Sequence, residues 1–317
     1  MQEKLCDLII IGSGPAGLSA AIYSQRQGLS ATVFGDTPGG NLYMIESVKN
    51  YPGFHEGVPG MQLGVFMYSQ AQSEGANFTM TNVDSLEKSG EHFVAKDTSG
   101  NIYSAPLAII AAGSTPKRLN VQNAALDGIH YCALCDGPLY RGKNAVIIVV
   151  GGGDRGGHLC VFLSKIARQV ILIDKGSSLK MSDAQQKAVA MAENVEVLLN
   201  TEVQAFIGEN ELKGVWVSSP DGQRKELSAD ALFMSIGWAP NVSMMCFPVA
   251  ATPEGFLKTD AKLMTSCAGL FAAGDVRDSD LKQIVTSCAD GARAATFAAE
   301  FIQLKQDTAN GHNPNFP

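Results

Sequence analysis

Two segments of the chain repeat the same order of apolar and polar positions: an apolar strand, a glycine-rich turn, an amphipathic helix and a second apolar strand. The first segment runs from Leu5 to Phe34, and the second runs from Ala145 to Asp174. Because strands of a buried parallel sheet read as nearly continuous apolar runs, each segment predicts a βαβ unit. The sequence therefore predicts an α/β fold with two doubly wound, Rossmann-type domains.

Polar stretches with alternating apolar positions accompany each predicted unit. They are Ala76 to Thr81, His92 to Lys96 and, later, Leu212 to Ser218. Alternation with a period of two is typical of half-buried strands, so we expect antiparallel strands inserted in each Rossmann unit.

The segment after Gly237 to Asn241 resumes the pattern of the first domain. We therefore expect the second domain, residues 118–243, to be inserted into the first, which would consist of residues 1–117 and 244–317. A length of 317 residues agrees with two domains at ~150 residues per domain. The tail from Gln306 to Pro317 shows no period, and we expect it to be mobile.

Composition is that of an ordinary packed protein, with 45% hydrophobic and 17% charged residues. The formal net charge of −7 gives no support to nucleic-acid binding, which requires a basic patch or stripe. The N-terminus leads into a strand-like run without a signal peptide, and no apolar stretch reaches the ~18 residues of a spanning helix. We expect a cytoplasmic protein; docking on a membrane surface is left open.

The first glycine-rich turn, Gly12-Ser13-Gly14-Pro15-Ala16-Gly17, has the spacing of a dinucleotide site. In such a site the first glycine makes a tight turn, the second admits the pyrophosphate, and the third lets the helix pack on the strand. The helix N-terminus then meets the phosphates. The position between an apolar strand and a helix favours this interpretation over an ordinary glycine turn.

The second turn, Gly151-Gly152-Gly153-Asp154-Arg155-Gly156, repeats this spacing, and the following strand ends in Asp174. An acidic side chain at about this offset, ~20 residues, accepts hydrogen bonds from an adenosine ribose. A carboxylate there repels a 2′-phosphate, and the segment Lys175 to Lys180 contains no arginine to accommodate one. In the first domain Gly35 precedes Asp36, so the ribose contact there is left undecided.

The only Cys-x-x-Cys sequence of the chain is Cys132-Ala133-Leu134-Cys135. Two thiols one helical turn apart can form a disulfide, and a helix N-terminus favours the reactive thiolate. The alternative is structural zinc, which needs four ligands; no second pair is visible and nearby His130 does not complete a site, so we expect no metal. Asp136 is a candidate proton carrier, with a helix cap as the alternative role.

Five other cysteines stand singly in apolar or small-residue surroundings, where buried packing is the usual role. They are Cys6, Cys160, Cys246, Cys267 and Cys288. The odd total of seven disfavours a secreted disulfide fold.

Five separated motifs follow one another along the chain. They are Gly12 to Gly17, Gly39-Gly40-Asn41-Leu42, Asn50-Tyr51-Pro52-Gly53, Cys132 to Gly137 and Gly269 to Asp275. In order and spacing, and over nearly all of the chain, they resemble the low-molecular-weight thioredoxin reductases. The resemblance implies FAD in the first domain, an inserted nicotinamide-nucleotide domain carrying the disulfide, and a homodimer. It also implies a thioredoxin-like protein or a small dithiol or disulfide as partner.

The same resemblance assigns roles at the flavin. Asp275 would hold the ribityl chain, Cys135 would face the flavin, and Cys132 would exchange with the partner. A helix beginning at Lys282-Gln283-Ile284 would direct its N-terminus to the flavin N1 and C2 carbonyl. The further FAD contacts implied are Asp36, Gly40, Asn41, Asn50, Val83, Ala112, Gly113 and Gly274, and Cys288 falls in a stretch near the flavin.

The second turn departs from this family at the NADPH site. The family shows Gly-Gly-Gly-[Asn or Asp]-x-Ala-x-Glu and a His-Arg-Arg-x-x-x-Arg cluster. Here Gly156 stands at the alanine position, and the cluster reads Asp174-Lys175-Gly176-x-x-x-Lys180. Losing cationic partners while gaining a carboxylate removes several hydrogen bonds of ~1.5–3 kcal/mol each, so NADPH should bind poorly.

The intact turn and Asp174 favour a dinucleotide without a 2′-phosphate, either NADH or a second FAD. Gly156 makes this turn match the first, FAD-type turn, and the chain resembles the diflavin-linked disulfide oxidoreductases, in which FAD occupies the former NADPH position. We favour a flavin-dependent disulfide or dithiol oxidoreductase with two FAD per chain. The alternatives are an NADH- or ferredoxin-linked thioredoxin reductase and a flavin redox sensor without turnover. The direction of electron flow stays open.

Overall fold

The structure is a computed structural model, and it describes residues 3–121, 126–219 and 222–309. Contacts divide the chain into two units, residues 1–115 with 239–317 and residues 116–238. The limits expected for the inserted domain, residues 118 and 243, lie a few residues later in the chain than residues 116 and 238.

The chain before the insertion forms two helices and contributes strands to three sheets. The strands are β1 Lys4–Leu5, β2 Leu8–Ile11, β3 Ala31–Phe34, β4 Asn77–Thr79, β5 Val83–Ser89, β6 His92–Asp97, β7 Ile102–Ala105, β8 Leu107–Ile110 and the connecting β9 Ser114–Pro116. The helices are α1 Pro15–Arg26 and α2 Gly60–Ser73, and Gly40–Met44 form a 3-10 helix.

The inserted unit repeats this mixture on a smaller scale. Its strands are β10 Ile129–His130, β11 Val146–Val150, β12 Gln169–Ile173, β13 Val195–Leu198, β14 Glu202–Ile207, β15 Gly214–Ser218, β16 Arg224–Ser228 and β17 Ala231–Met234. Its helices are α3 Ala133–Asp136, α4 Asp154–Ser164 and α5 Asp183–Ala190, with a 3-10 helix at Gly137–Tyr140. The chain then continues through β18 Trp238–Pro240, β19 Leu270–Ala272, a 3-10 helix at Gly274–Val276 and α6 Ile284–Ala309.

In the first unit a parallel sheet, ordered β19-β8-β2-β3-β4, carries the core. Successive side chains of a strand point to opposite faces, and β2 shows the consequence. Leu8 and Ile10 pack with the apolar residues of α1, α2 and α6. Ile9 and Ile11 pack with those of the second sheet, ordered β1-β7-β6-β5. Both faces of β2 are therefore covered, which explains its unbroken apolar run.

The inserted unit has the same two-sided arrangement. Its parallel sheet is ordered β10-β17-β11-β12-β13, and an antiparallel sheet is ordered β14-β15-β16. Ile147 and Val149 pack with residues of α4, whereas Ile148 and Val150 pack with residues of β15. The prediction of two Rossmann-type domains is confirmed.

One predicted strand pairs differently from expectation. The alternation at Ala76 to Thr81 predicts an antiparallel strand, and this is wrong, because β4 pairs parallel with β3. The connection between them contains α2, and such a crossover returns the chain in the same direction. The other two stretches, His92 to Lys96 and Leu212 to Ser218, are confirmed as antiparallel strands in β6 and β15.

The last helix continues to Ala309, into the tail from Gln306 that we expect to be mobile. Its mobility stays a prediction, and residues 310–317 lie outside the described part of the chain. Among the described helices, none combines the length and the apolar character needed to cross a membrane.

The third glycine of each turn is required by a close backbone approach. A Cβ on Gly17 would overlap the carbonyl oxygen of Gly12, and a Cβ on Gly156 would overlap that of Gly151, far inside the 3.0 Å at which real Cβ atoms are essentially never found. Gly12 and Gly151 have φ of +113° and +116°. The two turns therefore share one backbone conformation.

Replacing Gly156 with alanine should destabilise the inserted unit by roughly 1–3 kcal/mol, since an added methyl group in filled space forces the backbone to shift. Gly153→Ala is the matched control, because the nearest atom to its Cβ would be the Lys180 carbonyl oxygen at 3.8 Å, and its φ is −84°. There the lower chain entropy of unfolded alanine offsets a poorer helix cap, so we expect a change under about 1 kcal/mol. Thermal denaturation measures both, and equal midpoints for the two variants would contradict the role of Gly156.

Candidate functional site

The turn between β2 and α1 leaves room for a phosphate. Gly14 caps α1 in an extended conformation and Pro15 is the first helical residue. Apart from the residues next to it in the chain, no heavy atom of the described residues lies within 4 Å of a Cβ built on Gly14. The first N–H groups of a helix have no partner within it and attract anions, so the turn fits the pyrophosphate of a dinucleotide.

Two predicted FAD residues lie against this turn. A Cβ on Gly40 would be 3.3 Å from the Gly14 Cα. The neighbouring Gly39 N–H donates to the Ser13 carbonyl at 2.7 Å. Asn41 Nδ2 donates to the Ser114 carbonyl at 3.2 Å, which ties the 3-10 helix to the segment after β8.

Ala112 and Gly113 close the same edge of the sheet. A Cβ on Gly12 would lie 2.8 Å from the Ala112 Cα, so this segment runs directly beside the turn. Asn241 holds it: its Nδ2 donates to the Ala112 carbonyl at 2.8 Å, and its N–H donates to the Gly113 carbonyl at 3.0 Å. The sequence analysis missed Asn241 as a site residue because no glycine or cysteine motif marks it.

Gly274 brings the carboxyl-terminal segment to α1. A Cβ on Gly274 would be 2.9 Å from the Ala16 Cβ. The Gly274 N–H donates to Asp290 Oδ2 at 3.2 Å, and the same oxygen pairs with Arg277 Nε at 3.0 Å. Both side chains of this ion pair are largely buried, so it anchors the 3-10 helix that carries Asp275.

The residues predicted to start the last helix form one network with Asp275. Lys282 Nζ donates to the Asp275 carbonyl at 2.7 Å, and the Ser287 hydroxyl donates to Asp275 Oδ1 at 3.2 Å. Asn50 Nδ2 donates to Gln283 Oε1 at 3.0 Å. Helix α6 itself begins at Ile284. The structure thus brings together predicted residues that are more than 200 positions apart in sequence.

Asp36 and Val83 have other neighbours. Asp36 is exposed, and its Oδ2 accepts a hydrogen bond from Asn82 Nδ2 at 2.6 Å. Val83 is buried in the apolar cluster that contains Ile11 and Phe34. Their contact with FAD stays a prediction.

The two turns differ at a pair of facing positions, where the residue that carries a side chain and the glycine are interchanged. In the first turn, a Cβ on Gly35 would overlap the hydroxyl oxygen of Ser13. In the second, Gly152 takes the serine position, and a Cβ there would lie 3.0 Å from the Asp174 Cβ. The Asp174 carboxylate accepts hydrogen bonds from the N–H groups of Gly152 at 2.6 Å and Gly176 at 2.7 Å. A negative charge therefore lies at the second turn where the first has a neutral hydroxyl.

The other predicted residues of the second turn lie at the start of α4 or beside it. Asp154 is the first helical residue, and the hydrogen bonds it accepts from Ser182 lower the pKa of its carboxyl group. The Arg155 guanidinium lies 5.4 Å from the centre of the Trp238 ring, a cation–π distance. Lys175 is exposed.

Ser235 is a polar group at this turn that the sequence analysis missed. Its hydroxyl oxygen is buried and has no hydrogen-bond partner among the described residues. It would lie 3.7 Å from a Cβ on Gly156, and the Ser235 carbonyl group abuts Gly151. Buried hydroxyls normally have a partner, so this one fits a site that a ligand or water completes.

The two cysteines of the Cys-x-x-Cys sequence form a disulfide, with Cα atoms 5.3 Å apart. Cys132 caps α3, and its sulfur accepts the Cys135 N–H at 3.3 Å. The Asp136 side chain makes no cap hydrogen bond to the following 3-10 helix; instead Oδ2 lies 3.3 Å from His130 Nδ1. Leu134, between the two cysteines, is 51% exposed, and Cys132 and Cys135 are themselves partly exposed.

The remaining cysteines divide by burial. Burial raises the pKa of Cys160 to about 12, and burial also raises the pKa of Cys288, whose sulfur accepts a hydrogen bond from the Tyr51 hydroxyl at 3.7 Å. Burial, followed by the effect of Cys288, raises the pKa of Tyr51 to about 12. The expectation that all single cysteines are core residues is wrong for Cys246, which is exposed.

The chain is similar to known proteins over nearly its whole length. Residues 6–291 match the family model described as pyridine nucleotide-disulphide oxidoreductase. The chain is 34% identical over 313 residues to the thioredoxin reductase of Bacillus subtilis, covering 97% of this chain and 98% of that protein. It is 35% identical over 307 residues to a 34.2 kDa protein in the rubredoxin operon of Clostridium pasteurianum, covering 95% and 98%. The crystal structure of thioredoxin reductase from Streptococcus pyogenes MGAS5005 matches with a TM-score of 0.85 at 28% identity, covering 96% of this chain and 100% of that chain.

The cysteines predict an order of reactivity. At about pH 8 iodoacetamide should modify exposed Cys246 in the oxidised protein and leave Cys160 unmodified, because the thiolate is the nucleophile and Cys160 stays protonated. After reduction with dithiothreitol, iodoacetamide should also modify Cys132 and Cys135, and no other accessible cysteine should become newly modified. Peptide mass spectrometry reads each position, with Cys160 as the internal control. Modification of Cys132 and Cys135 without reduction would contradict the disulfide.

Proposed function

Because the chain belongs to the pyridine nucleotide-disulphide oxidoreductase family and is thioredoxin reductase-like in sequence and fold, we propose that this flavin-dependent disulfide oxidoreductase does not use NADPH. In this proposal a second FAD takes the place of NADPH in the inserted unit. The observation that carries it is the Asp174 carboxylate at the second glycine turn, held by the N–H groups of Gly152 and Gly176.

Asp174 acts against NADPH through its charge. A ribose 2′-phosphate is an anion, and a carboxylate at the end of the second strand of a Rossmann unit suits a free 2′-hydroxyl. Bringing this phosphate close to the Asp174 carboxylate costs binding energy, because both groups are negative. Lys175, the next residue and a cation that could pair with the phosphate, is exposed to solvent. The inserted unit therefore selects an adenosine ribose without a phosphate.

The likeness of the two turns supports FAD as the second ligand. Both have a positive φ at the first glycine, an extended second glycine that caps the helix, and a third glycine pressed against the first carbonyl. The partnerless Ser235 hydroxyl supports a ligand at this place. NADH also lacks a 2′-phosphate, and Asp174 suits it equally, so NADH is the second candidate.

FAD bound in the first unit would supply two-electron redox chemistry. The residues that would hold it are the turn Gly12 to Gly17, Gly40, Asn41, Asp275 and the start of α6. The chain's own chemistry is at the disulfide. Opening the Cys132–Cys135 bond takes up two electrons and, to give two thiols, two protons; Asp136, next to Cys135, carries a proton to or from a sulfur.

The proposal extends to partners and assembly. Solvent-exposed Leu134 between the sulfurs allows a thioredoxin-like protein or a small dithiol or disulfide to approach. Helix α2 exposes three apolar side chains, Met61, Val65 and Phe66, at 55%, 44% and 47%. Exposed apolar groups on one helix support a homodimer in which this surface is covered.

The number of FAD molecules released per chain by heat tests the proposal. We expect two from the wild type and one from Asp174→Ala, which loses the ribose acceptor, whereas Asp84→Asn, at an exposed position of β5, should release two. NADPH should leave the bound flavin yellow. Release of one FAD per chain, with no increase after incubation with added FAD, would contradict the proposal, and so would rapid bleaching of the flavin by NADPH. Bleaching of the flavin by NADH would establish the second candidate.

A further inference from the structure

Three polar side chains form a chain of contacts next to the disulfide: Tyr140, His130 and Asp136. His130 Nε2 lies 2.7 Å from the Tyr140 hydroxyl, and His130 Nδ1 lies 3.3 Å from Asp136 Oδ2. The His130 side chain is 16% exposed and that of Asp136 is 29% exposed. The imidazole is thus shielded from water but has a polar partner at each ring nitrogen.

The fold holds the His130 ring in this place. His130 is the last residue of β10 and lies opposite Phe233 in the parallel pair β10–β17. Its ring stacks on the Phe233 ring, with centroids 4.9 Å apart and an interplanar angle of 28°. Tyr140, at the end of the 3-10 helix after the disulfide, contacts the same two rings edge-on. The imidazole is oriented by packing and not only by its hydrogen bonds.

The charges around the cluster keep the tyrosine protonated. Burial, followed by the negative charges of Asp136, Asp230 and Glu211, raises the pKa of Tyr140 to about 12. A positive charge is also nearby, because the Lys143 ammonium group lies 5.6 Å from the centre of the Tyr140 ring. A tyrosine hydroxyl can donate to a neutral imidazole and accept from an imidazolium, so it suits both charge states of His130.

Asp136 connects the cluster to the sulfurs. It follows Cys135 directly, and its N–H donates to the Cys132 carbonyl at 3.0 Å. Asp136 is thus tied to Cys132 by this backbone hydrogen bond and to Cys135 by the peptide bond. Its carboxylate is the acidic group adjacent to the pair in sequence, and the His130 imidazole lies 3.3 Å beyond that carboxylate.

We propose that His130 is a positioning and proton-relay residue for the dithiol–disulfide chemistry of Cys132 and Cys135, acting through Asp136. This inference rests on the proposed function, because it requires a redox-active pair. His130 orients the Asp136 carboxylate and accepts the proton that the carboxylate takes from a thiol, and it returns that proton when the disulfide is reduced.

The step balances with a small disulfide as oxidant. One thiol loses its proton to Asp136, and its sulfur attacks the added disulfide, whose S–S bond breaks to release one thiolate. The second thiol, deprotonated in turn, attacks the mixed disulfide and releases a second thiolate, which leaves Cys132–Cys135 oxidised. Two electrons pass from the protein dithiol to the added disulfide, and two protons leave through the carboxylate and the imidazole.

The test measures how fast the pre-reduced full-length protein, with exposed Cys246 replaced by Ser throughout, reacts with a nitrobenzoate disulfide, whose released thiolate is yellow, as the pH is varied. A relay residue must gain and lose a proton during the reaction, so the wild-type rate should show an inflection as the pH is varied. In His130→Gln we expect the inflection to disappear and the rate near neutral pH to fall about ten-fold, the low end of what a positioned acid or base contributes. His92→Gln, an exposed histidine of β6, is the matched control and should retain the wild-type profile.

A second measurement on the unsubstituted protein does not depend on how the variant folds. With ¹⁵N-labelled histidine, the ring nitrogen resonances of His130 should shift when the pair is reduced, and those of His92 should not. Cys132→Ser should abolish the shift. A purely structural His130 would give equal resonances in both redox states.

Two kinds of failure are distinguishable. If Cys132→Ser and Cys135→Ser leave flavin reduction by dithiothreitol unchanged, the proposed function fails and the relay fails with it. If these variants abolish that reduction but His130→Gln keeps the wild-type inflection and a rate within two-fold of wild type, only the relay is overturned. Redox-insensitive His130 resonances would overturn the relay as well.

Discussion

The Asp174 carboxylate accepts two backbone hydrogen bonds, from Gly152 within the second glycine turn and from Gly176 beyond the strand end. Hydrogen bonds to a charged acceptor are short and strong, so the carboxylate is part of the turn's construction as well as of its surface. The carboxylate that supports the backbone of this turn is therefore also the source of its negative charge. In the proposed function, a nucleotide bound in this unit would have its phosphates at the helix N-terminus and its ribose at the Asp174 carboxylate.

The two units solve the same packing problem with different side chains. In each, the chain passes from an apolar strand through a glycine turn into a helix, and the third glycine allows the helix to touch the strand end. The first unit then places Ser13 against Gly35, and the second places Asp174 against Gly152. One pair leaves the turn neutral and the other makes it anionic. The two turns thus differ by an exchange of side-chain bulk between two facing positions, and the proposed function attributes a difference in nucleotide preference to this exchange.

Much of this follows from the sequence because it depends on local spacing. The apolar runs of β2 and β11, the glycine turns and the Cys-x-x-Cys pair each lie within a few residues, and periodicity reveals them. The error at β4 has a physical cause: a three-residue strand has too few positions for alternation to distinguish parallel from antiparallel pairing. The partners of other site residues, such as Asn241 and Ser235, come from remote segments, and only the fold shows that they meet.

The central claim concerns a single phosphate group, and calorimetric titration with two small nucleotides tests it most directly. Adenosine 5′-monophosphate and its 2′-phosphorylated counterpart differ only at the ribose position that Asp174 is proposed to read. The account predicts that the protein, with its tightly held flavin retained and the second site emptied, binds the unphosphorylated ribose at least ten-fold more tightly, about 1.4 kcal/mol. Tighter binding of the 2′-phosphorylated nucleotide would contradict it.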